Sequence, residues 1–174
     1  GMGGGVHGLD LWQHDEAWDN LCAGGTLGTF YGAGSLWQWR REGETAWGNW
    51  SCGPWDWRHA LDLPGSRFPG VVGRALDGLD FAEMTPDDGL ARADRCVSVR
   101  GKFALIYRPL GGTFLVEPGV FPADTPWRIL DTRTGAERAR GDQIFVPEGC
   151  DAARFESGSD QPACLVIGGP WQPA

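Results

Sequence analysis

Between residues 95 and 168 the chain is a succession of short runs in which apolar and polar residues alternate, and no other feature of its 174 residues limits the fold as tightly. RCVSV, FALIYRP, TFLVEP, WRILD, ERARG, QIFVP, AARFES and ACLVIG follow one another at intervals close to ten residues, separated by GK, GG, TRTG, EG and GSD. A period of two sends successive side chains to opposite faces of a strand. Many short strands joined by Gly-rich turns describe an antiparallel β-sandwich. TRTG after Asp131 predicts a hairpin with Gly135 in the left-handed position. The alternation assigns Val97, Leu105, Tyr107, Phe114, Ile129, Phe145 and Val166 to the core.

Residues 1–91 have a different character. They carry 5 basic and 13 acidic side chains, whereas residues 92–174 carry 10 of each, so the net charge of −8 resides in the first half. Eight of the ten tryptophans (Trp12, Trp18, Trp37, Trp39, Trp47, Trp50, Trp55 and Trp57) also precede residue 58. The segment MTPDDGLARAD combines Pro, Gly and carboxylates where the charge balance changes, and it divides the chain into a Trp-rich acidic region, 1–91, and a strand region, 92–174.

In the first region, HDEAWDNLCAGG places Ala17, Trp18, Leu21 and Cys22 on one helical face, with Asp15 as N-cap and Gly24-Gly25 as terminator. TLGTFYG from Thr26 to Tyr31 is a short buried strand, and helix followed by strand is the αβ unit of a parallel sheet. Apolar spacing predicts two further short helices, in Asp56–Leu61 and Gly65–Leu79, limited by Pro64 and Pro69, the second kinked or begun at Pro69. The fold class is therefore α+β: a C-terminal antiparallel β-sandwich preceded by an α/β segment.

Composition excludes several functions. A chain whose only lysine is Lys102 and whose charge is −8 cannot neutralise a run of phosphates, which argues against nucleic acid and against an anionic membrane and favours a neutral substrate. No apolar run reaches the roughly 18 residues that span a bilayer, and GMGGGVHG lacks the regions of a signal peptide. The five cysteines show no metal-type spacing and are expected as buried thiols. HGLDLWQHD sets His7, Asp10, His14 and Asp15 at spacings that match no standard metal site, and a helix start explains its acids, so neither metal nor cofactor is expected. His59 is taken as structural or superficial. No phosphate loop and no nucleophile elbow occurs. With 23 acids present, spacing alone nominates no catalytic pair.

The candidate site is FYGAGSLWQW, directly after the predicted strand, where the C-terminal ends of strands in αβ folds carry their ligand groups. Tyr31, Trp37 and Trp39 offer flat faces that stack on the C–H faces of sugar rings, and Gln38 can bond hydroxyls. The partner these four residues predict is a poly- or oligosaccharide.

FYGAGSLWQW, ALDLPGSRFPGVVGRAL, FALIYRP with TFLVEP, and WRILDTRTGAE occur in this order, and together they resemble the C-terminal portion of the apiosidase-like glycoside hydrolases. The resemblance covers nearly the whole chain. It implies a (β/α)8 barrel ending in a Tyr-Gly segment and an Ala-Leu-Asp-x-Pro-Gly helix start, followed by a β-sandwich labelled collagen-binding; nothing in these residues supports collagen in particular. Gly34 stands where the family pattern has a polar residue, and Thr132 replaces the hairpin proline. The resemblance also implies that the acid/base carboxylate and the nucleophile lie on earlier barrel strands, so this chain is expected to lack both, and that the parent protein is secreted or periplasmic.

Residues 1–91 then represent the last barrel units, with a bare strand edge and an apolar helix stripe, and a homodimer through residues 1–60 is expected. The rival expectation is a free-standing, non-catalytic module that binds a polysaccharide or a fibrous protein. What precedes Met2 in the gene separates the two.

Overall fold

The computed structural model describes residues 10–25, 28, 31–32, 36, 39–44, 56–92 and 94–169. The fold is α+β, mostly antiparallel sheet with a few helices. Helix α1 spans Asp10–Cys22. His14, Ala17, Trp18, Leu21 and Cys22 form its buried stripe, at the i, i+3, i+4, i+7, i+8 spacing of one helical face. This corrects the expected start at Asp15. His14 belongs to the buried face, so the helix must begin a turn earlier, and Asp15 sits in mid-helix. At the other end Gly24, at φ +90°, lets Gly25 N–H reach Asn20 O (2.7 Å) and Gly24 N–H reach Leu21 O (3.0 Å), closing a Schellman motif.

Helix α2, Trp57–Leu61, begins at Asp56, whose side chain accepts from the backbone N–H groups of Arg58 and His59. A 3₁₀ turn over Pro64–Arg67 leads into helix α3, Phe68–Ala75, with Pro69 in its first turn. The helix expected over Gly65–Leu79, kinked or begun at Pro69, does begin beside that proline; it is preceded by the tighter turn and ends at Ala75 rather than Leu79. Pro64 and Pro69 lack N–H groups, which a helix forgoes only in its first turn. The strand expected over Thr26–Tyr31 falls largely on Thr26, Leu27, Thr29 and Phe30, which lie outside the described residues.

Eight strands follow among the described residues: β1 Thr85–Pro86, β2 Arg95–Val99, β3 Phe103–Arg108, β4 Thr113–Val116, β5 Trp127–Asp131, β6 Glu137–Gly141, β7 Ala153–Glu156 and β8 Ala163–Gly168. Six form one sheet in the order β1-β2-β3-β8-β5-β6, and β4 pairs with β7 in a second; every pairing is antiparallel. QIFVP is not a strand, and Phe145 is 70% exposed rather than buried. The alternation there is real but of opposite phase. Ile144 and Val146 pack partly against the core, and Phe145 points outward.

The six-stranded sheet is covered on both faces. Val97, Leu105, Tyr107, Leu130, Cys164 and Val166 face α1 and α3, meeting Trp18, Leu21, Val71 and Val72. Cys96, Ala104, Ile106, Ile129, Leu165 and Ile167 face the β4-β7 pair, meeting Phe114, Val116 and Phe155. The apolar stripe of α1 is therefore spent on the chain's own sheet. One continuous core runs from Ala17 in the first helix to Val166 in the last strand.

Candidate functional site

The aromatic site is built where the segment after Tyr31 returns to α2. Tyr31 Oη donates to Ala60 O at 2.9 Å, which fixes the start of the segment to the body of the helix. Further on, Arg41 N–H donates to Glu44 Oε2 (2.9 Å) and Glu44 N–H to Arg41 O (3.2 Å), closing a turn that includes Gly43 at φ +81°. Trp57 N–H, at the first turn of α2, donates to Arg40 O at 2.8 Å. That bond brings two rings together. Trp39 and Trp57 meet with centroids 5.0 Å apart at 68°, the edge-to-face arrangement that the ring quadrupoles favour.

Trp39 is 64% exposed, and its backbone lies at φ +53°. The guanidinium of Arg58 lies 4.6 Å over the Trp57 ring and donates to Asp56 Oδ2 at 3.3 Å. The backbone N–H of His59, followed by that of Arg58, holds the Asp56 carboxyl below the usual carboxylate range. Of the four residues nominated from sequence, Tyr31 and Trp39 thus meet the two ends of α2, while Trp37 and Gln38 lie outside the described residues. Trp57 and Arg58 were missed. Their signal was the position of Trp57 directly after a capping Asp, where the first turn turns a side chain outward, but spacing alone assigns such a residue to the helix.

A second polar constellation lies where α1 meets the sheet. His14, fully buried, places Nδ1 2.7 Å from Asp15 Oδ1 and Nε2 2.8 Å from Thr132 Oγ1. The Asp15 carboxylate only accepts, so Nδ1 carries the proton. Burial holds His14 below its ordinary value, so the ring is neutral and the Thr132 hydroxyl donates to Nε2. Tyr107 Oη donates to the same Asp15 oxygen at 2.9 Å, and burial followed by that carboxylate pushes the phenol far up. Trp18 stacks on Tyr107 with centroids 6.0 Å apart and donates Nε1–H to Thr132 O. His14, Thr132, Tyr107 and Trp18 each find their polar partner within the chain, and Asp15, partly exposed, receives two of these bonds. The constellation fastens helix to sheet.

Burial pushes the Cys22 thiol up to about 12 and raises Cys96 and Cys164 as well, so these side chains are inert as nucleophiles. Among the described residues no group of three His, Cys, Asp or Glu side chains suits a metal ion, and no helix is long and apolar enough to cross a membrane. His7, one member of the sequence cluster, lies outside them. His59 is exposed at the surface of α2. The arrangement around Trp39 offers a stacking surface and hydrogen-bond donors, which suit recognition.

Comparison with known proteins agrees with this description. The sequence profile of the family described as Apiosidase-like, catalytic domain, matches residues 12–83. A solved glycoside hydrolase superposes with a TM-score of 0.70 at 17% identity, covering 94% of this chain and 39% of that one. A family 5 glycoside hydrolase from Bacteroides vulgatus ATCC 8482 superposes with a TM-score of 0.69 at 15% identity, covering 91% and 36%. At those identities the likeness is one of fold, and the chain spans less than two fifths of the length of either structure. No curated protein matches. Residues 12–83 are thus similar in sequence to an apiosidase-like catalytic domain, and the chain as a whole is similar in fold to a part of each glycoside hydrolase structure.

Proposed function

We propose that this chain is the carbohydrate-associated part of a glycoside hydrolase, in which residues 31–57 position a plant-type glycan and the strands after residue 91 brace the catalytic fold. On this view α1 to α3 belong to the end of a (β/α)8 barrel and the two sheets to a β-sandwich behind it. The acid/base and the nucleophile come from barrel strands other than those represented here. A retaining mechanism needs two carboxyl groups about 5 to 5.5 Å apart flanking the scissile bond. The carboxylates described beside the Trp39–Trp57 pair have other duties: Asp56 caps α2, and Glu44 holds its turn.

The supporting observation is the continuous core. Helices in or overlapping the stretch that matches a catalytic domain bury their apolar faces against β2, β3 and β8. A free-standing module that used a sheet face for its ligand would need that face open, and here helices cover one side and β4-β7 the other. Bracing fits this geometry better than independent binding.

The test is an assay of the purified chain with aryl glycosides and plant oligosaccharides. Binding without turnover above a buffer blank is expected. Turnover abolished by changing Asp10, Asp15 or Glu16 would return the nucleophile to this chain and overturn the proposal.

A further inference from the structure

We infer that the saccharide held at this site is uncharged, and that Trp57 and Arg58 form the platform for it together with Trp39. The inference rests on the sugar-positioning proposal and specifies its ligand. Trp39 has a backbone at φ +53°, a conformation that L side chains adopt at a cost, and it leaves 64% of its surface exposed. A costly backbone that presents a large apolar ring to water stabilises nothing by burial. Its edge contact with Trp57 and the Trp57 N–H to Arg40 O bond fix the ring in place. A fixed indole loses little further freedom when a sugar stacks on it.

Arg58 supplies the polar counterpart. Its guanidinium is held over Trp57 and by Asp56 Oδ2, and its side chain is 67% exposed. A guanidinium has five N–H donors and this one uses NH1 on Asp56, so donors remain for the ring and hydroxyl oxygens of a sugar beside the tryptophans.

Charge selects among sugars. From Tyr31 to Arg58 the sequence holds Arg40, Arg41 and Arg58 against Glu42, Glu44 and Asp56, with no other acidic, Lys or Arg side chain. The rest of residues 1–91 holds Arg67 and Arg74 against ten carboxylates. The charged groups of the described residues 39–44 and 56–58 therefore balance, within a sequence half that is acidic as a whole. Arg58 is already paired with Asp56, and Arg40 donates to Glu44 O. A polyuronate meets no net attraction from these balanced groups and is opposed by the chain's net charge of −8, whereas a neutral ring with a C–H face and hydroxyls meets neither effect.

The experiment titrates the chain with neutral hexasaccharides (glucan, xylan, mannan and arabinan types) and with hexagalacturonate, following tryptophan fluorescence and calorimetry at low and high salt. A neutral hexasaccharide should bind with an affinity independent of salt. Trp39→Gly, which suits the left-handed backbone, and Trp57→Ala should each weaken it about tenfold or more, and Arg58→Gln about threefold. Circular dichroism of each variant checks that the fold is retained. Preference for hexagalacturonate with salt-sensitive affinity would overturn the uncharged ligand and leave the sugar-positioning proposal standing. Neutral binding unaffected by both tryptophan variants would overturn the platform. Failure of all five sugars to bind would overturn the positioning proposal and this inference with it.

Discussion

Nε2 of His14 lies 2.8 Å from Oγ1 of Thr132, so a side chain of α1 and one in the β5–β6 turn, 118 residues apart, share a buried hydrogen bond. The neighbours of that imidazole are Asp15 on its own helix, Tyr107 on β3, Phe68 at the start of α3, and Asp131 and Arg133 flanking Thr132. Helix, sheet and turn converge on one ring.

Stability should fall with acid through this ring. Burial depresses the pKa of His14 below its ordinary value of 6.5, against the opposing pull of Asp15. Above 6.5 neither folded nor unfolded chain holds the proton, and the stabilisation is complete. Below it the unfolded chain takes up a proton that the folded chain resists, so stability declines until the folded pKa is reached. Thermal midpoints should drop between about pH 7.5 and about pH 5.5, and His14→Gln should be less stable throughout with a flatter profile. An identical slope in the variant would show that His14 is not the group responsible.

Thr132→Val keeps the shape of the side chain and removes its hydroxyl, leaving Nε2 of a fully buried ring without a partner. The expected loss is about 1–3 kcal/mol in urea unfolding. Thr132→Ser, which retains the hydroxyl, should lose much less. Equal losses in the two variants would assign the effect to packing.

Trp18 is wholly buried, stacked on Tyr107 and bonded to Thr132 O. Trp18→Ala should cost about 3–5 kcal/mol. Because its neighbours belong to both halves of the chain, helix and sheet should unfold together: far-ultraviolet circular dichroism and tryptophan fluorescence should give coincident transitions in the parent chain. Two separated transitions would establish that residues 1–91 and 92–174 fold independently.

Self-association through residues 1–60, which we propose from the sequence, must use surface other than the apolar stripe of α1. Trp12, 56% exposed, is a large apolar side chain that the helix leaves outside. Light scattering should show a dimer that Trp12→Glu dissociates. A mass of 18.9 kDa for the parent chain would end the proposal.

Much of the strand region was legible because its turns are. Gly101, Gly135 and Gly158 all lie at positive φ between strands, where a side chain would be strained, so the breaks in the sequence mark the turns. FALIY and ACLVI are apolar at nearly every position because β3 and β8 are covered on both faces, which no alternation in the sequence announces. Phe145 was misplaced because period two fixes which residues share a side and leaves open which side faces the core. The start of α1 was misplaced for a different reason: His14 counts as polar in any periodicity, and its burial depends on Thr132, far along the chain. At the aromatic site the tryptophan content was visible, but the pairing of Trp39 with Trp57 depends on a backbone bond between Arg40 and the start of α2. Local spacing cannot express such a bond.

The continuous core has a consequence for how such a chain can be inherited. The family profile ends at residue 83, but the core that α1 begins closes only at Val166. A recombination event that carried the strands to another gene without the helices would deliver a sheet with Leu105, Tyr107 and Val166 facing water. One that carried the helices alone would strand Trp18 and Leu21 in the same way. The segment that can be shuffled intact is longer than the segment recognised by its sequence signature, and its two ends must travel together.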